Sequence, residues 1–189
     1  EMTSSLVGSE MCIRDRPCRK GFITPEALES LLGRDVALVS IMLANNETGV
    51  IQPVRALSDV AHAHGAVYHA DAVQGWLHVP FDVADLGVDA LSIAGHKVGG
   101  PVGIGALYLK GRTPIRPRSL GGGQERGLRP GTQDLRAIVG LAAAADALLP
   151  HVAEHVSVLR PLADNLYDRL CSNSKVHATI CLLYTSDAA

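Results

Sequence analysis

Three short apolar runs, at residues 36–43, 66–70 and 88–94, punctuate the first half of the chain, and each gives way to a polar cluster at its carboxyl end. The first is a nearly continuous row of Val, Leu, Ile and Ala, the pattern of a strand covered on both faces in a parallel sheet. Between the first and second runs, residues 54–64 carry helical spacing and stop at Gly65. Between the second and third, residues 76–88 read as loop and short helix. A strand, helix, strand, crossover, strand order demands right-handed crossovers, so the predicted fold is α/β, a mostly parallel sheet with helices on both faces.

Open sheets of this kind hold ligands outside the carboxyl ends of their strands. The first run leads there into Asn45, Asn46, Glu47, Thr48 and Gly49, a polar turn. The second leads into His69, Ala70, Asp71, Ala72, Val73 and Gln74. The third, broken only by Asp89 and Ser92, reaches Gly95, which lets the chain turn before His96 and Lys97. An acid and a lysine then sit at the ends of two apolar strands. Beyond them Gly99, Gly100, Pro101, Gly103 and Gly105 make a tight turn into residues 104–109, which read as a returning antiparallel strand. A lysine so flanked is expected to be partly desolvated, which lowers its pKa and makes the amine a nucleophile toward an aldehyde.

At the two ends of this body, Thr24 caps a short helix that begins at Pro25 and runs to Leu32 before Gly33. After a glycine-rich loop at 121–131, Asp134 caps an alanine-rich helix that is interrupted at Pro150 and continues to about Leu170.

The 189 residues suffice for one domain with a real core. A net charge of -2 with no clustered basic surface excludes nucleic acid as the main partner. The longest helical apolar stretch, 137–149, contains Asp146 and is too short to span a bilayer, so no membrane is expected. Cys12, Cys18, Cys171 and Cys181 all lie near the ends, without a disulfide framework or zinc spacing. With the charged Arg14, Asp15 and Arg16 in place of an apolar leader, this fits a reducing, cytoplasmic compartment. Residues 1–16 and the tail at 181–189 have the wording of translated adapter sequence; 1–16, and 173–189 as a remnant with that tail, are expected to lie outside the domain at 17–172.

Four blocks now stand in order: Asn45 to Gly49; His69 to Gln74; Ser92 to Leu109; and Gly121, Gly122, Gly123, Gln124, Glu125, Arg126, Gly127 followed by Arg129, Pro130, Gly131, Thr132. In wording as well as spacing they resemble the cysteine desulfurases, a pyridoxal-phosphate-dependent family of the class V aminotransferase type, over roughly residues 20–172. The resemblance implies part of the large domain of such a transferase, with pyridoxal 5'-phosphate as cofactor. It implies that Lys97 holds the cofactor aldehyde and later moves the proton of the substrate α-carbon. It places Asp71 against the ring nitrogen, Gln74 and Asn46 at the phenolic oxygen, and His96 at the phosphate. Thr132 matches a threonine that reaches the phosphate from the other subunit of a homodimer.

Each residue also has a plainer reading: a surface lysine on a turn for Lys97, ordinary turn polars for Gln74 and Asn46, a helix-start residue for Thr132. Two departures from the family wording stand out. Ala94 occupies a position where a hydroxyl residue often binds the phosphate, and Gln133 and Asp134 replace the commoner residues after Thr132. Arg126 and Arg129 are left as structural.

The implied reaction of the full enzyme converts L-cysteine to L-alanine and passes sulfur, as an enzyme persulfide, to a sulfur-acceptor scaffold for iron-sulfur or thio-cofactor assembly. By the same resemblance the mobile catalytic cysteine lies beyond this sequence, and Cys171 and Cys181 are not in a matching context. The segment by itself is therefore expected to be inactive. Rival readings are another class V enzyme such as a selenocysteine lyase or aminotransferase, and a noncatalytic remnant. The His62 and His64 pair, near His69 and Asp71, superficially resembles a metal-hydrolase set, but it falls at a helix end where histidines complement the carbonyl dipole. The glycines at 99–105 lack dinucleotide-binding spacing.

Overall fold

The computed structural model describes residues 21–173 and 176; residues 1–16 and 177–189, among those expected beyond the domain, lie outside the described residues, as do Cys12, Cys18 and Cys181. At its centre is a sheet of β1 (Leu38–Met42), β2 (Val67–Asp71), β3 (Ala90–Ala94) and β4 (Gly105–Leu109), in that spatial order. The first three strands are parallel and β4 returns antiparallel to β3. The sheet is therefore mixed, as the glycine turn before residue 104 required, and each strand begins and ends within two residues of its apolar run.

Strand order follows chain order, so right-handed crossovers carry the connecting helices to one face. Helix α1 (Pro25–Glu29) starts where expected, with the Thr24 hydroxyl accepting from the Ala27 N–H at 3.2 Å. It is shorter than predicted: after Glu29 the chain leaves in single turns, with Leu31 and Leu32 donating to the carbonyls of Leu28 and Glu29. Helix α2 (Val54–Ala63) buries Val54, Leu57, Ser58 and Ala61, the one-sided helical stripe. It ends as predicted at Gly65, whose φ of 78° is the left-handed conformation that favours glycine. The short α3 (Val83–Leu86) is capped by Asp82 and closed by Gly87.

These helices cover Val39, Ile41, Tyr68, Ala70 and Leu91, which form the core with Leu28, Val54, Leu57 and Ala61. Leu57 has no exposed surface. Leu57→Ala is expected to cost about 2–5 kcal/mol, the transfer and cavity terms together, seen as a lower denaturant midpoint at unchanged slope. An unchanged midpoint would mean that α2 does not seat there. The alternate residues Ser40, His69, Asp71 and Ser92 are half-buried and face the other way.

At the amino ends of the strands Asp89 binds four elements together. Its Oδ2 accepts the Tyr68 N–H at 2.8 Å and lies 2.7 Å from His62 Nε2, while its carbonyl accepts the Lys110 N–H at 2.8 Å and the Thr113 hydroxyl at 3.0 Å. Burial raises this carboxyl's pKa, but the Tyr68 N–H, His62 and Lys110 outweigh it and hold it below the ordinary aspartate value. The unfolded chain therefore takes up the proton first as pH falls. The contribution is present above the unfolded value of 3.8 and is lost as pH drops through the lower folded one. Asp89→Asn is expected to lose stability at neutral pH and to show a shallower further loss in acid, measured as melting temperature against pH; parallel curves would contradict this. His62 is thus committed to Asp89. Among the described residues no cluster of three or more metal-ligating side chains occurs.

Helix α4 (Leu135–Leu148) is capped by Asp134, which accepts from the N–H groups of Arg136 and Ala137. A 3-10 turn at Leu149–His151 marks the expected break at Pro150 and leads into α5 (Val152–Cys171). The run Leu135–Cys171 ends close to the expected Leu170, and by length and composition alone it is enough to cross a membrane. However, Glu154, Arg160, Asp164, Asp168 and Arg169 recur along its second half, and each charge would cost about 2.5–3.5 kcal/mol at a bilayer centre. Its exposed leucines, among them Leu149, Leu159, Leu162 and Leu166, read as a packing surface for protein.

Candidate active site

The three polar clusters that follow the apolar runs emerge at one edge of the sheet. Asp71 pairs in register with Met42 of β1 on one side and Ser92 of β3 on the other, and the Leu43 N–H donates to the Asp71 carbonyl at 2.8 Å. The loops carrying Asn46, Gln74 and Lys97 therefore leave neighbouring parallel strands at their carboxyl ends, where such sheets hold ligands.

After β1 the chain folds back on itself through a bridge between Ala44 and Ile51. Asn45 shapes this loop: its Oδ1 accepts the N–H groups of Glu47 and Thr48, both at 2.9 Å, and the Thr48 hydroxyl at 3.1 Å. The turn role thus belongs to Asn45. Asn46 is exposed, with no side-chain hydrogen bond among the described residues.

After β2, Asp71 accepts the Val73 N–H through Oδ1 at 2.9 Å, which fixes the carboxylate and leaves Oδ2 without a hydrogen-bond partner among the described residues. Gln74 is half-buried in the next turn, which the Gly75 and Trp76 N–H groups close onto the Ala72 carbonyl. Gly75 presses on the end of β1, where a Cβ would come within 2.5 Å of a Leu43 methyl.

After β3, Gly95–Lys97 form one 3-10 turn. Gly95 donates to the Ile104 carbonyl at 2.9 Å and accepts from the N–H groups of Val98 and Gly100, so the hairpin into β4 holds the turn. The need for glycine at 95 is spatial and not conformational: a Cβ would stand 2.7 Å from Ile104 Cγ2 and 3.1 Å from the Pro101 carbonyl oxygen. Gly99 and Gly103, with φ of 75° and 86°, supply the left-handed bends. His96 and Lys97 are both exposed, and neither side chain has a partner among the described residues. The partial desolvation expected of Lys97 is therefore not present in this chain, because no described segment covers the turn. Ala94, on the Asp71 face of β3, offers no hydroxyl toward this edge.

Thr132 is exposed on the loop between the 3-10 turn Gln124–Gly127 and α4, without a hydrogen bond to any residue of the edge. Gln124 steadies this loop by accepting the Gly131 N–H at 3.3 Å. Glu125 and Arg126 hold φ of 49° and 57°, a left-handed pair of non-glycine residues that costs of order 1–3 kcal/mol each.

Two sets of residues escaped the sequence reading. His78 Nε2 lies 3.0 Å from the Lys97 carbonyl oxygen and holds the lysine turn from the loop after β2. Ser40, His69 and Ser92 form a hydrogen-bonded row across β1, β2 and β3: Ser40 Oγ to His69 Nδ1 at 2.8 Å, and His69 Nε2 to Ser92 Oγ at 3.2 Å. Burial lowers the His69 pKa from its ordinary value, against the opposing pull of Asp71 two residues along the same face. A signal for this row was present: these are the polar interruptions of the three apolar runs, and the two-residue strand period puts His69 beside Asp71. By contrast, a cavity of about 640 Å³ bounded by Trp76, Phe81, Leu91, Ile93, Tyr108 and Pro150 is apolar and opens on the helix-covered face, away from the lysine.

The chain is similar to known proteins over most of its length. The model of the family described as aminotransferase class-V matches residues 13–182. The chain is 42% identical over 146 residues to the cysteine desulfurase IscS of Dictyoglomus turgidum, covering 77% of this chain and 37% of that protein. It is 40% identical over 157 residues to the cysteine desulfurase IscS of Methanosarcina thermophila, covering 83% and 39%. The X-ray structure of a NifS-like protein from Rickettsia africae superposes with a TM-score of 0.79 at 33% identity, covering 85% of this chain and 46% of that one. The chain thus spans less than two fifths of the length of these curated relatives.

Proposed function

Because the chain belongs to the class-V aminotransferase family, whose members depend on pyridoxal 5'-phosphate, we propose that the carboxyl edge of β1–β3 is its cofactor site and that the full-length protein is a cysteine desulfurase. One observation carries this reading. Asp71 and Lys97 leave adjacent parallel strands at the same edge, with the amine and one carboxylate oxygen uncommitted to any described residue.

The donor set suits the cofactor: an amine for its aldehyde, a carboxylate for its ring nitrogen, amides for its phenolic oxygen and an imidazole for its phosphate. When bound, the cofactor supplies an electron sink for the charge that develops at the substrate α-carbon. Lys97 would hold the aldehyde and then take and return the α-proton. Asp71, pinned by the Val73 N–H, keeps a proton on the ring nitrogen by presenting the opposite charge. Gln74 and Asn46 donate amide N–H groups to the phenolic oxygen. His96, beside Lys97 on its turn, binds the phosphate, with no hydroxyl at Ala94 to share that load. Thr132, which has no hydrogen bond to this edge among the described residues, would reach the phosphate of a second copy in a homodimer of the full-length protein.

The names of the relatives support L-cysteine as substrate. Its carbon-sulfur bond breaks, the sulfur leaves onto an enzyme thiol as a persulfide, and the carbon skeleton departs as L-alanine. The persulfide then serves a sulfur-acceptor scaffold for iron-sulfur or thio-cofactor assembly in the cytoplasm. The test is product analysis on the full-length, cofactor-saturated protein given L-cysteine and a reducing thiol. L-alanine and sulfide in equal amounts are expected. A keto acid formed in place of alanine would overturn the desulfurase reading in favour of transamination.

A further inference from the structure

The Ser40, His69 and Ser92 row has no place in the chemistry above, yet it lies directly behind the residue on which that chemistry depends. Ser92 is the register partner of Asp71, and His69 precedes Asp71 by one strand repeat on the same face. Both ring nitrogens are occupied, Nδ1 by the Ser40 hydroxyl and Nε2 by the Ser92 hydroxyl, so no ring nitrogen is left to bond Asp71. Among the described residues, Asp71 is the charged group that acts on His69; the neighbours from β1 and β3 are the two hydroxyls.

We propose that Ser40, His69 and Ser92 form a positioning relay for Asp71, in which the two hydroxyls occupy both ring nitrogens and hold the imidazole in place, so that the carboxylate has only the cofactor's ring nitrogen to pair with. This rests on the cofactor reading above and extends it. A charged imidazole behind Asp71 would compete for the same negative charge and weaken the support of the ring nitrogen's proton. A neutral one does not compete. Ser40 and Ser92 therefore act through His69, and His69 acts through Asp71; none of the three is required to touch the cofactor.

The relay makes the two titrations reciprocal, and that is measurable. In the full-length protein, the His69 ring is followed by NMR against pH, with ring-labelled histidine, in three states: wild type without cofactor, Asp71→Asn without cofactor, and wild type loaded with pyridoxal 5'-phosphate. The His69 midpoint is expected to fall in Asp71→Asn, because the charge that raises it is gone. It is also expected to fall on loading, because a cation at Asp71 cancels that charge. Each fall should be at least about half a pH unit, roughly threefold in proton affinity. Wild type is expected to change the bound cofactor's visible absorption across the His69 midpoint, and His69→Gln, which cannot titrate, should not. Ser40→Ala, which leaves one ring nitrogen open to pair with the carboxylate, should raise the His69 midpoint where Ser40→Thr does not, and Ser92→Ala reads the same point from β3 should the β1 variant unfold. A His69 midpoint unmoved by both Asp71→Asn and loading would overturn the relay and leave the row as strand packing. Failure of the cofactor to bind at all would instead sink the functional reading, while the comparison made without cofactor would still decide the relay.

Discussion

Lys97→Ala is expected to abolish both the yellow colour of the cofactor-loaded protein and at least about a thousandfold of its turnover, without altering the fold. One amine is asked to do two things, to hold the aldehyde and to move the α-proton, and proton transfer alone is worth about 10²–10⁴. The fold should not notice. The side chain is exposed and without a partner among the described residues, and its turn is held by backbone bonds around Gly95 and by His78 on the Lys97 carbonyl, all of which alanine keeps. The measurement is turnover and visible absorption at matched cofactor concentration, beside a melting curve. A variant that stays coloured, or keeps more than a tenth of the activity, would place the covalent attachment elsewhere.

The second large effect is expected at Asp71. In Asp71→Asn the amide oxygen still accepts the Val73 N–H, so the side chain stays where it is and only the charge is lost. Removing one preorganised electrostatic partner from a transition state typically costs about 10²–10³ in rate. Turnover should fall by roughly that factor while the protein remains coloured, because Lys97 is untouched. Turnover within threefold of wild type would mean that the ring nitrogen takes its support from another group.

These two residues were legible in the sequence because strand ends are legible. Each apolar run announced a strand, and in a right-handed parallel sheet the residues just beyond such runs must share an edge whatever the loops do. Asp71, Gln74, His96, Lys97 and Asn46 all satisfy that condition. Within the Asn-rich turn, pattern alone did not separate the loop-former from the free side chain; the division of labour between Asn45 and Asn46 follows from which Oδ1 lies within reach of the Glu47 and Thr48 amides. Gly95 was read for its backbone freedom, whereas its turn is an ordinary one and the constraint is the Ile104 methyl across the hairpin, a long-range contact that no local rule contains.

The exposure of Lys97 was misjudged for a related reason. Burial of a side chain at a strand end depends on segments that are distant in sequence, and flanking apolar residues describe only the strand below it. The Ser40, His69 and Ser92 row was written in the sequence as three separate interruptions, and only the parallel register, which puts Ser40 opposite His69, makes one row of them. The helical region was legible throughout: Asp134 marked its start, Pro150 its break, and it ends at Cys171, one residue beyond the expected end.

The most direct test is chemical. The full-length protein, incubated with pyridoxal 5'-phosphate, reduced with borohydride and digested, should yield a single pyridoxyl-modified peptide with the modification on the side-chain nitrogen of Lys97. Modification confined to Lys110, or scattered over surface amines with Lys97 unmodified, would contradict the assignment of this sheet edge as the cofactor site.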